Sequence, residues 1–289
     1  MRLAVVGLGL IGGSLALDLK ERGWAREVIG VDAHEPHCEQ ALRLKLVDRV
    51  SSLQEAVPAA DLVILAIPVG AIQRLLPEVL TLAGPQTTVT DMGSTKVGIC
   101  RAVISHPRRA QYVASHPMAG TENSGPTAAL SGLFDGKTAV ICDASASGSH
   151  HLERVRKMFE TLGMRQITLS PEEHDLHAAF VSHLSHISSF VLANTVLAEE
   201  KNANTIFDLA GGGFESTVRL AKSSPDMWGP IFEENHANVV AALESYIAHL
   251  QEFHGALKSR DFKQTRRLME DANSIRRVLA DMRSRGDRK

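Results

Sequence analysis

Three glycines at the spacing Gly7-x-Gly9-x-x-Gly12 constrain this chain more than any other feature. They stand directly behind a short β-branched run, residues 3–6, and ahead of a helical pattern over residues 14–22. Strand, tight glycine turn and helix make up the opening of a Rossmann βαβ unit. In that reading Gly7 permits the turn, Gly9 lets the backbone approach a pyrophosphate, and Gly12 lets the helix pack against the strand. Leu8, Leu10 and Ile11 complete the loop, whose helix N-terminus offers free N–H groups to phosphate. A second strand, "EVIGVD", ends in Asp32, 20 residues beyond Gly12. A carboxylate there accepts hydrogen bonds from a ribose diol and repels a 2′-phosphate, so the expected cofactor is NAD rather than NADP.

The first part of the chain goes on alternating. "DLVILAIP" (61–68) reads as a strand buried on both faces, and "VGAIQRLLPEVLTLAG" as a helix in spite of Pro77. "TTVTDMGSTK" is a strand entering a polar turn, "KVGICRAVIS" a helix, and "AQYVASHP" and "KTAVICD" are strands. "HHLERVRKMFETLG" is a helix and "MRQITLS" a last strand. The pattern predicts an α/β fold, a doubly wound Rossmann-type NAD-binding domain over residues 1–168. Ligands of such sheets bind outside the carboxyl ends of the strands. Pro68, residues 91–96 and residues 115–122 all lie at those ends, and Pro68 is assigned to the cofactor.

With 289 residues the chain exceeds the roughly 250 that one core usually serves, and its character changes after Ser170. Strand signals vanish, and residues 169–289 read as an all-α domain. "PEEHDLHAAFVSHLSHISSFVLANTVLAEE" has proline at its start, acids in its first turn, and apolar residues at helical spacing: Leu176, Phe180, Leu184, Ile187 and Val191. Three consecutive glycines at 211–213 predict a close backbone approach or a sharp turn, and Arg219 follows Gly212 by seven residues. His174 and His177 read as structural. His183 and His186, three apart on one face, are expected to look into the cleft between the domains. Without a carboxylate at matching spacing, no metal is predicted. His34 and His37 read as exposed residues at a helix start.

The net charge of −2 gives no reason to expect a nucleic-acid or membrane partner, and the basic "RSRGDRK" reads as a solvated tail. Three widely spaced cysteines form no disulfide framework and fit a reducing, cytoplasmic setting. The N-terminus lacks the form of a signal peptide, and the apolar stretches read as shorter than a membrane span.

The motifs together resemble the prephenate/arogenate dehydrogenase family of tyrosine biosynthesis. The matching segments are "GLGLIGGS", "DLVILAIPV", "DMGSTK", "SHPMAGTE", "SHLSHI", "GGGFESTVRLAKSSPDMW" and "IFEEN". They occur in the family's order over nearly the whole chain, and "HPMAGTE" with "RLAKSSPDMW" is the specific combination. The resemblance implies an enzyme that oxidatively decarboxylates prephenate to 4-hydroxyphenylpyruvate with NAD. The alternative is arogenate, or both substrates as in a cyclohexadienyl dehydrogenase. It also implies an all-α dimerisation domain, hence a homodimer, with room for neither a chorismate mutase nor an ACT domain.

By the same resemblance His116 is the base for the ring hydroxyl and Ser94 its hydrogen-bond partner. Arg219 holds a substrate carboxylate, Thr121 and Glu122 line the cleft, and Glu122 pairs with Arg219 in the empty site. His186, Gly212 and Trp228 belong to the substrate side, although Trp228 suits a core position equally. Ser185 stands where the family often has proline, and Ser216 where aspartate is frequent. Two other classes compete. A β-hydroxyacid dehydrogenase would need a lysine that "SHLSHISSFVLAN" lacks, and a non-catalytic NAD-binding regulator would not need His116, Ser94 and Arg219 together.

Overall fold

Every residue from Leu3 to Val6 in β1 (Arg2–Val6) is buried, because the strand is covered on both faces. In the computed structural model, which describes residues 1–203 and 205–286, Leu3 and Val5 pack with Leu15, Leu19 and Phe159. Ala4 and Val6 pack on the other face with Ile72, Leu76 and Val79. At roughly 1.5–3 kcal/mol per fully buried large apolar side chain, these two layers dominate the stability of the sheet.

Around β1 come α1 (Leu10–Glu21), β2 (Glu27–Val31), α2 (Glu35–Arg43), β3 (Arg49–Val50), α3 (Leu53–Ala59), β4 (Leu62–Leu65), α4 (Val69–Leu82), β5 (Thr88–Asp91) and α5 (Val97–Ala102). Then follow β6 (Tyr112–Pro117), β7 (Thr138–Cys142), α6 (Ser149–Thr161) and β8 (Arg165–Leu169). The eight strands lie in the order β3-β2-β1-β4-β5-β6-β7-β8. All neighbours are parallel except β6 and β7, where His116 faces Val140 in an antiparallel register. Strand order reverses between β1 and β4, so the glycine turn and Pro68 flank the same switch point.

The long helix expected from residue 171 is present but interrupted. α7 (Pro171–Ala178) passes through one π turn at Ala179–His183 into α8 (Leu184–Ala203). Ser170 caps it with a complete capping box to Glu173. The predicted apolar stripe does not point inward: Leu176, Phe180 and Val191 are 42%, 46% and 57% exposed. The buried face instead carries His174, Asp175, Ala178, Ala179, His183 and Ser189. The run 171–201 also corrects the reading that apolar stretches fall short of a span. By length and composition it is long and apolar enough to cross a membrane, with 22% of its most apolar window buried.

After it come α9 (Gly212–Val218), α10 (Pro225–Glu234), α11 (His236–Lys258), α12 (Phe262–Ala272) and α13 (Ile275–Gly286), with no strand among the described residues beyond β8. Asp261 caps α12 through the amide of Gln264. The chain divides into two compact units, Met1–His236 and Ala237–Lys289. The last three residues of the basic tail lie outside the described residues.

Candidate active site

The three glycines do three different jobs. Gly7 has φ +95°, and a Cβ on it would stand 2.4 Å from the carbonyl oxygen of Ala66 at the end of β4. A Cβ on Gly12 would stand 1.9 Å from the Gly7 carbonyl oxygen, so only glycine lets α1 start this close to β1. A Cβ on Gly9 would meet nothing within 4 Å, leaving open space above the turn where a ligand backbone can approach. Leu8 is fully buried and Leu10 nearly so, leaving chiefly their backbone to face a ligand. Gly9 caps α1 without a side-chain acceptor and no acid stands in the first turn, so the first amides are available to an anion. Asp32 accepts hydrogen bonds from Leu8 N (2.8 Å) and His34 N (2.9 Å), which holds the carboxylate against the turn. Pro68, exposed, caps α4 beyond the carboxyl end of β4. Residues of this kind fit a dinucleotide.

His116 lies at the carboxyl end of β6, part-buried, with one ring nitrogen committed to a neighbour. Its Nδ1 is 2.8 Å from Nε2 of His174, and His174 Nδ1 is 2.7 Å from Oδ1 of Asp175. Asp175 accepts the backbone N–H of Lys96 (2.7 Å) and of Val97 (2.9 Å) through its two oxygens. Behind this row Lys96, fully buried, donates Nζ to Asp91 and to the carbonyl of Ser115 (2.7 Å). Tyr112 donates its hydroxyl to Asp91 at 2.6 Å. An ammonium and a carboxylate buried here are tolerable because each is paired and further hydrogen-bonded. They fix the turn 91–96 to the residue preceding His116. Burial, followed by His174, Lys96 and His183, drives the His116 imidazole well below its ordinary 6.5, so the ring is neutral near pH 7.

Arg219 reaches across to Glu122 with Nη1···Oε2 at 2.8 Å, both side chains partly solvated. A backbone hydrogen bond and the guanidinium hold the Glu122 carboxyl below its usual range. Thr121 accepts the amide of Asn123 and braces the same loop. His186 stacks on Trp228 with ring centroids 3.5 Å apart, and Trp228 also meets Phe232 at 5.4 Å. Burial lowers the pKa of His186.

Other expectations change. Trp228 is 6% exposed and part of the core, with a buried Nε1 that has no partner. Ser94 sits half-buried on the turn beside Lys96, and the structure contains no hydrogen bond from it to His116. Gly211, Gly212 and Gly213 take no positive φ, and a Cβ built on any of them meets no atom within 4 Å, so no close backbone approach within the chain requires the run. His183 does not face open space. It is 1% exposed, 3.2 Å from Asn235 Nδ2, with its ring nearly perpendicular to that of Trp228. Asp175 carries no signal in the sequence, and His174, which reads as structural there, is bonded to His116 and Asp175, whereas His177 is exposed and apart. The adjacent pair "HD" is too common to signal a role, and only the fold brings it to His116.

A glycine cradle at a switch point, an acid at the end of the second strand and a neutral histidine at a strand end define a pyridine-nucleotide dehydrogenase. The chain belongs to the prephenate dehydrogenase family. Residues 15–168 match the model of the prephenate dehydrogenase nucleotide-binding domain, and residues 170–271 that of its dimerization domain. A prephenate dehydrogenase of Bacillus subtilis is 30% identical over 280 residues, 95% of this chain and 75% of the relative. A cyclohexadienyl dehydrogenase of Zymomonas mobilis is 32% identical over 261 residues, 90% of this chain and 89% of the relative. The crystal structure of prephenate dehydrogenase from A. aeolicus, in complex with hydroxyphenyl propionate and NAD+, superposes with a TM-score of 0.85. It is 28% identical and covers 96% of this chain and 98% of that one.

Proposed function

We propose that this protein catalyses the NAD-dependent oxidative decarboxylation of prephenate to 4-hydroxyphenylpyruvate in tyrosine biosynthesis. The observation that carries the reading is His116, neutral, part-accessible and tethered through Nδ1 only, at the carboxyl end of β6, on the same edge of the sheet as the dinucleotide cradle. Gly7, Leu8, Gly9, Leu10, Ile11, Gly12, Asp32 and Pro68 hold the cofactor, which when bound supplies a hydride acceptor. His116 accepts the proton of the ring hydroxyl at its second nitrogen. Arg219 exchanges Glu122 for a substrate carboxylate, to which a guanidinium fork is matched. Ser94, Thr121, Glu122, His186 and Gly212 line the substrate side. Trp228 supports His186 by stacking. Loss of carbon dioxide aromatises the ring and drives the reaction, so the protein has mainly to orient the ring and remove one proton.

The functional division falls at residues 168 and 169, and the protein acts as a cytoplasmic homodimer. The outward stripe of Leu176, Phe180 and Val191, on the segment matching a dimerization domain, supports a second copy as its cover. Steady-state kinetics with prephenate and with arogenate, each with NAD, test the reading. Turnover of prephenate with NAD is expected, and its absence refutes the assignment. A higher kcat/KM for arogenate transfers it to that substrate.

A further inference from the structure

Two imidazole rings bonded nitrogen to nitrogen cannot both donate and cannot both accept. One of His116 Nδ1 and His174 Nε2, 2.8 Å apart, carries the proton. The other end of the row decides which. Asp175 is buried and accepts a backbone N–H on each oxygen, as a carboxylate does, and a carboxylate has no proton to donate. The 2.7 Å bond to it therefore comes from His174 Nδ1–H. A neutral His174 protonated at Nδ1 has a bare Nε2, which must accept from His116 Nδ1–H. A neutral His116 protonated at Nδ1 has its lone pair at Nε2.

We propose that His174 and Asp175 are positioning residues that hold His116 as its Nδ1–H tautomer, leaving Nε2 as the proton acceptor of the reaction. The inference rests on the reading of His116 as the base. The row is anchored at both ends. Asp175 is pinned by the amides of Lys96 and Val97, and its carbonyl accepts Asn235 Nδ2 at 2.7 Å. His116 is pinned by the antiparallel pairing of β6 with β7. When Nε2 gains a proton, the imidazolium keeps its Nδ1–H on His174, and the Asp175 carboxylate one ring further on offsets the new charge. The charged and titratable groups facing the pair are Asp175 from α7, His183 from the π turn, Asp91 from the end of β5 and Lys96 from the turn after it. Burial lowers the pKa of His174 although Asp175 opposes the shift, in keeping with a neutral ring.

The tautomer is read directly, without substrate, by long-range proton–nitrogen NMR on the protein labelled at histidine. His116 Nδ1 is expected in the protonated range and Nε2 in the bare range at pH 7.5; the reverse assignment overturns the proposal. Kinetics supply the second arm. His174→Leu removes the acceptor and should lower kcat about a hundred-fold, with KM for prephenate within about two-fold, and should shift the acid limb of the kcat profile. His174→Gln retains an acceptor oxygen and should recover at least about ten-fold of that loss. If His174→Leu is folded by circular dichroism yet keeps kcat and its acid limb, or if Gln rescues nothing, the relay is wrong. Should His116→Asn itself keep full activity, the base assignment fails, while the NMR result still judges the tautomer on its own.

Discussion

Replacing Gly9 and Gly12 in turn with alanine separates a glycine kept for a ligand from one kept for the fold. At Gly12 the new methyl would lie 1.9 Å from the Gly7 carbonyl oxygen, where real Cβ atoms essentially never come closer than 3.0 Å. Neither atom is the end of a flexible side chain, so α1 must back away from β1 by more than about 1 Å. That disturbs the burial of Leu15 and Leu19. Overpacking of this kind costs about 1–3 kcal/mol, with the upper end expected against backbone. At Gly9 the methyl enters open space, and φ −73° suits alanine. Stability should hold or rise by about 0.4–1 kcal/mol from the stiffer unfolded chain. The methyl would instead occupy the approach path of the pyrophosphate. Losing even one amide–phosphate hydrogen bond, worth about 1.5–3 kcal/mol, should weaken NAD at least ten-fold. Urea unfolding and calorimetric NAD titration of both variants provide the assay. Wild-type NAD affinity in Gly9→Ala, or wild-type stability in Gly12→Ala, would refute the division of roles.

His116→Asn should lower kcat by roughly a hundred-fold or more with little change in KM. Because the folded imidazole titrates well below 6.5 and acts in its neutral form, the wild-type acid limb of kcat/KM should fall below that value and vanish in the variant. Arg219→Gln should raise KM for prephenate roughly ten-fold to a hundred-fold while sparing NAD, as read by initial rates. Asp32→Ser should narrow the preference for NAD over NADP, and wild-type kcat/KM with NADP equal to that with NAD would overturn the role of Asp32. Acid stability offers a separate check. Burial lowers His183 to about 4, whereas unfolded imidazole titrates near 6.5. The unfolded chain thus binds the proton first, and stability declines as pH falls from about 6.5 toward about 4, by on the order of 3 kcal/mol. Urea midpoints across that range should show the decline, and His183→Asn should make it shallower, the other buried imidazoles His116 and His174 keeping part of it.

Features set by local backbone demands and short-range pattern can be read from the amino acids alone. Gly7 and Gly12 are legible because the turn admits no other residue. The strands β1 and β4 are legible because burial on both faces leaves continuous apolar runs. Motif likeness supplied His116 and Arg219, and the Glu122 pair expected with it is present. What periodicity misjudged is the direction of a face. Leu176, Phe180 and Val191 have the spacing of a core stripe, yet they point outward while His174, Asp175 and His183 turn in. A helical pattern records that a stripe is apolar and not which neighbour covers it, and a second copy serves as well as a core. The reversal of β7 and the two-residue β3 were likewise invisible, since pairing direction is set by the sheet as a whole. The row from His116 through His174 to Asp175 joins residues 58 positions apart. Only tertiary structure decides such a contact, because nothing local at either end requires the other; the burial that makes both rings neutral and their hydrogen bond directional exists only once α7 has packed against the end of β6.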